Sequence, residues 1–422
     1  MHQVLITGFG VLSASGTEAG AFWDNLAAGK SSLGPLTRVS TERLTTRVAG
    51  EITGFNPEDE FGKEVDFLDR FSQLAVICAR RALADAGLPQ RLDGNVGNAG
   101  PANGCGLYAP ERVGVLTGTG MGGICSQDQG FRQIYGEHQA RIHPFLIPRT
   151  MYSAATSQIG MNTGARGPSF TISTACASST HALGEAWKLI RSGAADMMIA
   201  GGSDAPLTFG VIKAWEAMRV LAAAGDDPAR ACRPFSRDRN GLVLAEGAAM
   251  FVLESADAAR RRGARVLAEL AGYGATADAG HITQPSVEGA AGAMTAALAS
   301  AGLAPADIDY INAHGTGTKL NDSTEIAAIK RAFGAAAAQL SISSTKSMHG
   351  HAMGASGAIE LAATLLAMRH DLVPPTANFS QPDPDCDLDV TPNHARPRRI
   401  RAALSNSFAF GGLNAVLAVR RA

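Results

Sequence analysis

Residues 169–190 read SFTISTACASSTHALGEAWKLI. The β-branched run Phe170–Ile172 predicts a strand, the small residues after it a sharp turn, and Ser179–Arg191 a helix. Cys176 falls on that strand-to-helix turn. Unpaired N–H groups and the macrodipole at a helix N-terminus favour an anion. A thiol there is expected to fall one or more units below its usual pKa of ~8.5, giving an exposed thiolate nucleophile. The plain alternative is a small buried hydrophobe. The strand–turn–helix setting favours the nucleophile for Cys176, and Cys78, Cys105, Cys125, Cys232 and Cys386 lack that setting.

Working outward, the same shape recurs. Residues 350–368, GHAMGASGAIELAATLLAM, open a second helix on small residues after a glycine turn. Upstream of each lies a matching pair of segments: ALADAGL (82–88) before VGVLTGTG, and ALASAGL (297–303) before YINAHGTGT. Order and local sequence both recur, which predicts two homologous halves packed face to face, residues 1–255 and 256–422. Ser255–Gly263, SADAARRRG, reads as the charged connection between them. Strand-like runs at Val4–Thr7, Val113–Thr117, Met197–Ala200, Ala248–Leu253, Ile308–Asn312 and Ala415–Val419 alternate with helical stretches such as Ser72–Ala86. That alternation predicts an α/β fold with mainly parallel sheets. The first half alone carries a Gly/Asn-rich insert at 94–106, expected to be a surface loop.

At ~100–200 residues per domain, 422 residues make two to three domain equivalents, and 45% hydrophobic content can fill a large core. Lys+Arg at 37 against Asp+Glu at 38 excludes the basic excess of a general nucleic-acid binder. No apolar run approaches the ~18–20 residues of a membrane span. The opening MHQVLITGFGVLSASG has no basic n-region before its apolar stretch, unlike a secretory signal. The six cysteines are scattered with no CxxC, so reduced thiols and a cytoplasmic location are expected.

His314 follows a strand in NAHGTGTKLNDSTE, and His351 precedes a helix in SSTKSMHGHAMGASG. Histidines beside glycines at strand ends sit where a sheet exposes its reactive edge, with backbone able to approach a substrate. Pseudo-symmetry would bring both to one interface with Cys176. A thiolate with two neutral imidazoles suits carbonyl chemistry better than a zinc site drawn from Cys176, His314, His349 and His351. Gly118-x-Gly120-x-x-Gly123 matches a dinucleotide fingerprint by letter, but no regular helix and acid-ended second strand follow at the proper spacing. The run 396–401, RPRRIR, reads as a solvated strand edge.

Four ordered motifs, STACASS, NAHGTGT, STKSMHGHAMGASGAIE and NSFAFGGLN, carry a family resemblance from Val4 to Val419. Together they resemble the β-ketoacyl-acyl carrier protein synthases of the elongating, Cys-His-His type: the type II fatty-acid condensing enzyme and its polyketide and nodulation relatives. The resemblance implies a thiolase fold, α/β in five layers (α-β-α-β-α) built from two duplicated halves. It implies that Cys176 carries the acyl chain as a thioester and that His314 and His351 serve decarboxylation of malonyl-carrier protein. Lys346 would be the family's active-site lysine with Glu360 as its acidic partner, and the backbone N–H groups of Cys176 and Phe410 would form an oxyanion hole. Thr316 and Thr318 would hold the pantetheine arm. Phe408 and Phe410 would gate the acyl pocket, with Asp278, His281 and Thr283 on the facing loop and Met121 beside the acyl tunnel. Lys63, Arg141 and Arg219 would dock the acyl carrier protein.

No metal or redox cofactor is implied, because loss of carbon dioxide drives the condensation and substrates arrive on the phosphopantetheine arm of the carrier. A dimer is implied, with a second copy or with a related chain-length-factor-like subunit, in which case this chain keeps the nucleophile. A degradative thiolase would carry a second cysteine near the C-terminus, and NSFAFGGLN has none. The sequence departs from the family pattern at Leu413, where a polar residue is usual, and at Glu64, where a base is common. VLAAAGDD after Arg219 lacks the usual basic residue. These departures, with the insert at 94–106, point to a specialised lipid or polyketide pathway.

Overall fold

The computed structural model describes residues 1–92, 107–223 and 225–422. The insert at 94–106, with Cys105, lies outside the described residues. Ten strands matter for the site: β1 (Val4–Ser13), β2 (Val113–Gly118), β3 (Ser169–Ile172), β4 (Met197–Asp204), β5 (Gly247–Ser255), β6 (Ala268–Ala277), β7 (Tyr310–Asn312), β8 (Ser341–Ser343), β9 (Ala402–Ala409) and β10 (Leu413–Arg420). They run in the order β8-β7-β9-β10-β6-β1-β5-β4-β2-β3. Counted within its own half, each set of five follows the order 3-2-4-5-1, so the duplication is topological as well as sequential. The halves meet where β1 and β6 share two register pairs, Leu5 with Glu269 and Ile6 with Ala268.

The expectation of mainly parallel sheets needs correction. In each half two ladders are parallel, β3/β2 and β2/β4 or β8/β7 and β7/β9. The other two, β4/β5 and β5/β1 or β9/β10 and β10/β6, are antiparallel. A strand buried on both faces is a continuous apolar run whichever way its neighbours point, so the hydrophobic pattern carries no direction.

Helices complete the layers: α1 (Arg70–Asp85), α2 (Ser178–Arg191), α3 (Val287–Ala301), α4 (Lys319–Phe333) and α5 (Ser356–His370). Helix α1 packs on β1, β4 and β5, and α3 on β6 and β10, as outer layers. Helices α2 and α5 touch each other and strands of both halves, forming the middle layer. Every residue of α5 from Ser356 to Met368 is buried, as a helix covered on all sides must be. Their N-terminal ends come very close. A Cβ on Gly357 would stand 1.9 Å from Thr180 Oγ1, so only glycine fits there. The abundance of small residues thus has a packing cause, and it brings the start of α2, with Cys176, against the start of α5, with His351.

Candidate active site

Between β3 and α2 the chain turns through Ala175, whose φ of +48° is left-handed and costly for a residue with a Cβ. The turn is held by its own serine: Ser178 Oγ donates to Ala175 O (2.6 Å) and accepts from Thr174 N–H (2.9 Å). This elbow presents Cys176 at the floor of a cavity of about 480 Å³. Cys176 is only 5% exposed, and burial pushes its thiol up to about 12. The expected lowered, exposed thiolate is therefore corrected. Desolvation outweighs the pull of the Lys346 charge, which favours the neutral thiol in the resting site.

Both histidines converge on that sulfur. His351 Nε2 lies 3.1 Å from Cys176 Sγ, and its Nδ1 lies 2.7 Å from Ser356 Oγ at the head of α5. Its backbone is clamped by N–H donation to Val243 O at 2.7 Å. The His314 ring stands edge-on to it, centroids 5.5 Å apart. Behind His314, Lys346 Nζ donates to the His314 carbonyl (2.6 Å) and lies 3.4 Å from its Nδ1. An ammonium can only donate, so His314 Nδ1 accepts and Nε2 carries the proton. Lys346 is also paired with Glu360, both fully buried. Burial first, and the Lys346 charge second, hold both imidazoles well below the usual histidine range, so both are neutral. Burial likewise lifts Glu360 to about 7 against the pull of Lys346.

The ligating atoms of Cys176, His314 and His351 lie within 4.8 Å of one another. His349 does not join them: its Nε2 is 3.0 Å from Thr345 Oγ1 and its Nδ1 2.8 Å from Gly350 O.

Around this centre the cavity wall includes Thr316, Thr318, Phe408, Phe410, His281 and Thr283, with Arg219 exposed at its rim. Thr316 and Thr318 share an Oγ–Oγ contact of 2.9 Å. The Phe408 ring meets His314 edge-on at 6.1 Å, and Phe410 stacks on Trp215 at 5.8 Å. Asp278 does not face the cavity. Its carboxylate accepts from Ser286 N–H (2.9 Å) and Asn414 Nδ2 (2.7 Å), and its own N–H donates to Gly412 O. It holds the 411–412 turn in place, where both glycines have φ above +70°. The polar tie of that turn thus runs through Asn414, while Leu413 packs on the main core. Met121 is partly buried in an apolar cluster with Leu207, Val211 and Phe410, outside the cavity wall. Lys63 and Arg141 are both exposed, away from the cavity.

Against known proteins, the model described as "Beta-ketoacyl synthase, N-terminal domain" matches residues 1–259, and "Beta-ketoacyl synthase, C-terminal domain" matches residues 267–380. The chain belongs to the β-ketoacyl synthase family. Among similar proteins, "Nodulation protein E" of Rhizobium sp. (strain N33) is 48% identical over 420 residues, covering 100% of this chain and 99% of that one. "3-oxoacyl-[acyl-carrier-protein] synthase 2" of Staphylococcus aureus (strain COL) is 42% identical over 422 residues, covering 99% and 98%. The solved structure "The ishigamide ketosynthase/chain length factor" matches with a TM-score of 0.89 at 36% identity, covering 100% and 99%. The protein is a β-ketoacyl-acyl carrier protein synthase, an acyl-transferring condensing enzyme of the thiolase fold. Among the described residues no helix is long and apolar enough to cross a membrane.

Sequence reasoning missed three buried acids that build this ketosynthase site. Glu325, on α4, accepts from the N–H groups of His314 and Gly315, both at 2.8 Å, and from Asn406 Nδ2 at 3.1 Å. Asp322, one turn earlier, accepts from Gly317 N–H (3.2 Å) and Phe235 N–H (2.8 Å). Both lie within the quoted stretch NAHGTGTKLNDSTE, and acids beside Ile326 and Ile329 on a buried face were the available signal. Asp204, at the end of β4, had no such signal.

Proposed function

We propose that Cys176 accepts an acyl chain as a thioester and that His314 and His351 then stabilise the enolate of malonyl-carrier protein. In the first step the Cys176 sulfur attacks the acyl thioester carbonyl, the bond to the carrier sulfur breaks, and His351, the nearest base, passes the S–H proton to the departing carrier thiolate. In the second, the malonyl C–C bond breaks and carbon dioxide departs. The electron pair becomes an enolate whose thioester oxygen accepts from two neutral imidazole N–H groups. The enolate carbon attacks the Cys176 thioester, its oxygen facing the N–H groups of Cys176 and Phe410. The Cys176 sulfur leaves as a thiolate, carrying the charge the malonyl carboxylate brought in, and takes a proton from solvent. Lys346 and Glu360 fix the His314 tautomer, and Thr316 and Thr318 hold the arm. Phe408 and Phe410 gate the pocket with His281 and Thr283 opposite, while Met121 limits the acyl tunnel. Release of carbon dioxide drives the step without a metal or redox cofactor. The observation that carries this reading is the 3.1 Å approach of His351 Nε2 to a neutral Cys176 thiol, with His314 edge-on beside it.

The halves divide at 255/256, the first supplying the nucleophile and the second both histidines. Lys63, Arg141 and Arg219 receive the acidic carrier. The protein works as a dimer, with itself or with a chain-length-factor-like subunit, through the outer edge of β3. That strand is terminal in the sheet, and Phe170 on it is 44% exposed. The named assembly of the ishigamide structure supports the heteromeric form. The likeness to nodulation protein E, with Glu64 and Leu413, favours a specialised lipid over housekeeping synthesis. The five described cysteines are unpaired, which fits a cytoplasmic place. Intact-mass analysis with acyl-carrier protein tests the reading: an acyl adduct should appear on Cys176 and vanish as malonyl-carrier is added. Persistence of the adduct with no β-ketoacyl product would refute it.

A further inference from the structure

The carboxylate of Asp204 is fully buried and joins three segments that the reaction needs together. Its Oδ1 accepts from Thr119 Oγ1 (2.7 Å) and Met121 N–H (3.0 Å). Its Oδ2 accepts from Gly120 N–H and from Gly354 N–H, each at 2.7 Å. The first three donors lie on the turn after β2, in the first half. Gly354 lies in the second half, between His351 and Ser356. The nucleophile's elbow closes the group: a Cβ on Gly120 would stand 3.6 Å from Ala175 O. No slack exists between the two turns, since a Cβ on Gly354 would fall 2.4 Å from Gly120 N. Thr119 extends the tie by accepting from Gly122 N–H at 3.0 Å.

We infer that Asp204 is a specificity-determining positioning residue, tying the Met121 turn to the His351 turn so that acyl-chain selection and histidine placement depend on one carboxylate. The inference rests on the reading of Met121 as the tunnel limit. Four donors converge on two oxygens, and only an ionised carboxylate accepts from all of them. An amide must turn an N–H toward at least one donor, separating either the Met121 side or the Gly354 side. Burial raises Asp204 to about 6, and its four donors pull the other way, so it is ionised at neutral pH. A side chain that only stabilised the fold would, when changed, lower every rate by one factor. A tether that sets the turn's position changes the ratio between substrates.

The experiment compares Cys176 acylation from C8- and C16-carrier protein in wild type, Asp204→Asn, Thr119→Val and Met121→Ala. The expected result is a shift of the C8:C16 ratio by about tenfold in Asp204→Asn, of the size of one lost charged hydrogen bond. Thr119→Val, which removes one of the two Oδ1 donors on the Met121 side together with the acceptor of Gly122 N–H, should shift the ratio in the same direction by less. Asp204→Asn with all rates lowered equally and the ratio unchanged overturns the inference. Where that variant does not fold, Thr119→Val decides alone, and an unchanged ratio again overturns it. If Met121→Ala shifts the ratio while the other two do not, the tether fails and the tunnel reading stands. If Met121→Ala has no effect, the tunnel reading fails and the inference falls with it.

Discussion

The sulfur of Cys176 lies 3.1 Å from His351 Nε2, although the two residues are 175 positions apart and sit at the heads of helices from different halves. Duplication explains the meeting. The first half turns from β3 into α2, the second runs from β8 through residues 344–355 into α5, and packing of α2 on α5 sets the two helix starts side by side. One helix start carries Cys176 and the other His351.

That contact makes Cys176 the residue to remove first. Cys176→Ala should abolish acyl loading and condensation, because among the described residues no other thiol lines the cavity. Cys176→Gln should lose loading yet keep malonyl decarboxylation, its amide imitating the acylated state. Because burial pushes the thiol up to about 12, the raised value keeps the uncharged form through neutrality. Alkylation of the resting enzyme by iodoacetamide should therefore climb about tenfold per pH unit through pH 9 without levelling, as the thiolate is the reacting form. A plateau already reached near pH 7 would show that the working thiol is not the buried neutral one.

The histidines divide the reaction in two. His314→Ala and His351→Ala should still acylate Cys176, more slowly, while decarboxylation falls by about 10²–10³, the usual loss for one oxyanion donor. The sign of their shift also sets a pH profile. Depressed values mean that each ring takes a proton only well below 6.5, so the donating neutral form persists as pH drops through that point. The ring signals of His314 and His351, followed by NMR, should stay level from pH 8 to pH 6, whereas decarboxylation also feels Glu360, lifted to about 7, and Asp204, raised to about 6. Ring protonation with its midpoint near 6.5 would contradict the neutral pair.

The strands, the central helices and the Cys-His-His set were legible because each has a local signal: β-branched runs, small-residue turns, glycines beside histidines. Strand direction in the buried ladders had none, since Gly247–Ser255 and Val113–Gly118 are both buried throughout although their neighbours run in different directions. The thiol's state was misjudged for a related reason. A helix terminus can be read from seven residues, but desolvation comes from the second half folding over it. Asp204 was illegible because its four donors are backbone and hydroxyl groups from segments about 80 and 150 positions away, which no spacing announces.

Assembly follows from the edge of β3. One side of Ser169–Ile172 pairs with β2, and the strand ends the sheet, leaving backbone donors and the half-exposed Phe170 unpaired within the chain. Light scattering should give twice the chain mass, for the protein alone or mixed with a chain-length-factor-like partner. Phe170→Asp should weaken that association and lower activity with it. A stable, fully active monomer would rule the dimer out.

Met121 provides the test of chain length. It follows β2 on the turn held by Asp204 and packs with Leu207, Val211 and Phe410, so its side chain occupies apolar space next to Phe410. An acyl chain extended past Phe410 would need part of that space. Each buried methylene of substrate is worth roughly 0.8 kcal/mol, so blocking two or three costs about 1.6–2.4 kcal/mol. That shifts selectivity by about one to two orders of magnitude. Methionine is flexible and can swing aside, which limits the effect to a preference. Wild type should favour short-to-medium chains, and Met121→Ala should raise the loading rate of C16 relative to C8 without raising that of C8. The measurement is the loading rate across a series of acyl-carrier substrates. If wild type already takes C16 as readily as C8, or if Met121→Ala leaves the profile unchanged, Met121 is ordinary core beneath a glycine turn and the tunnel limit lies elsewhere.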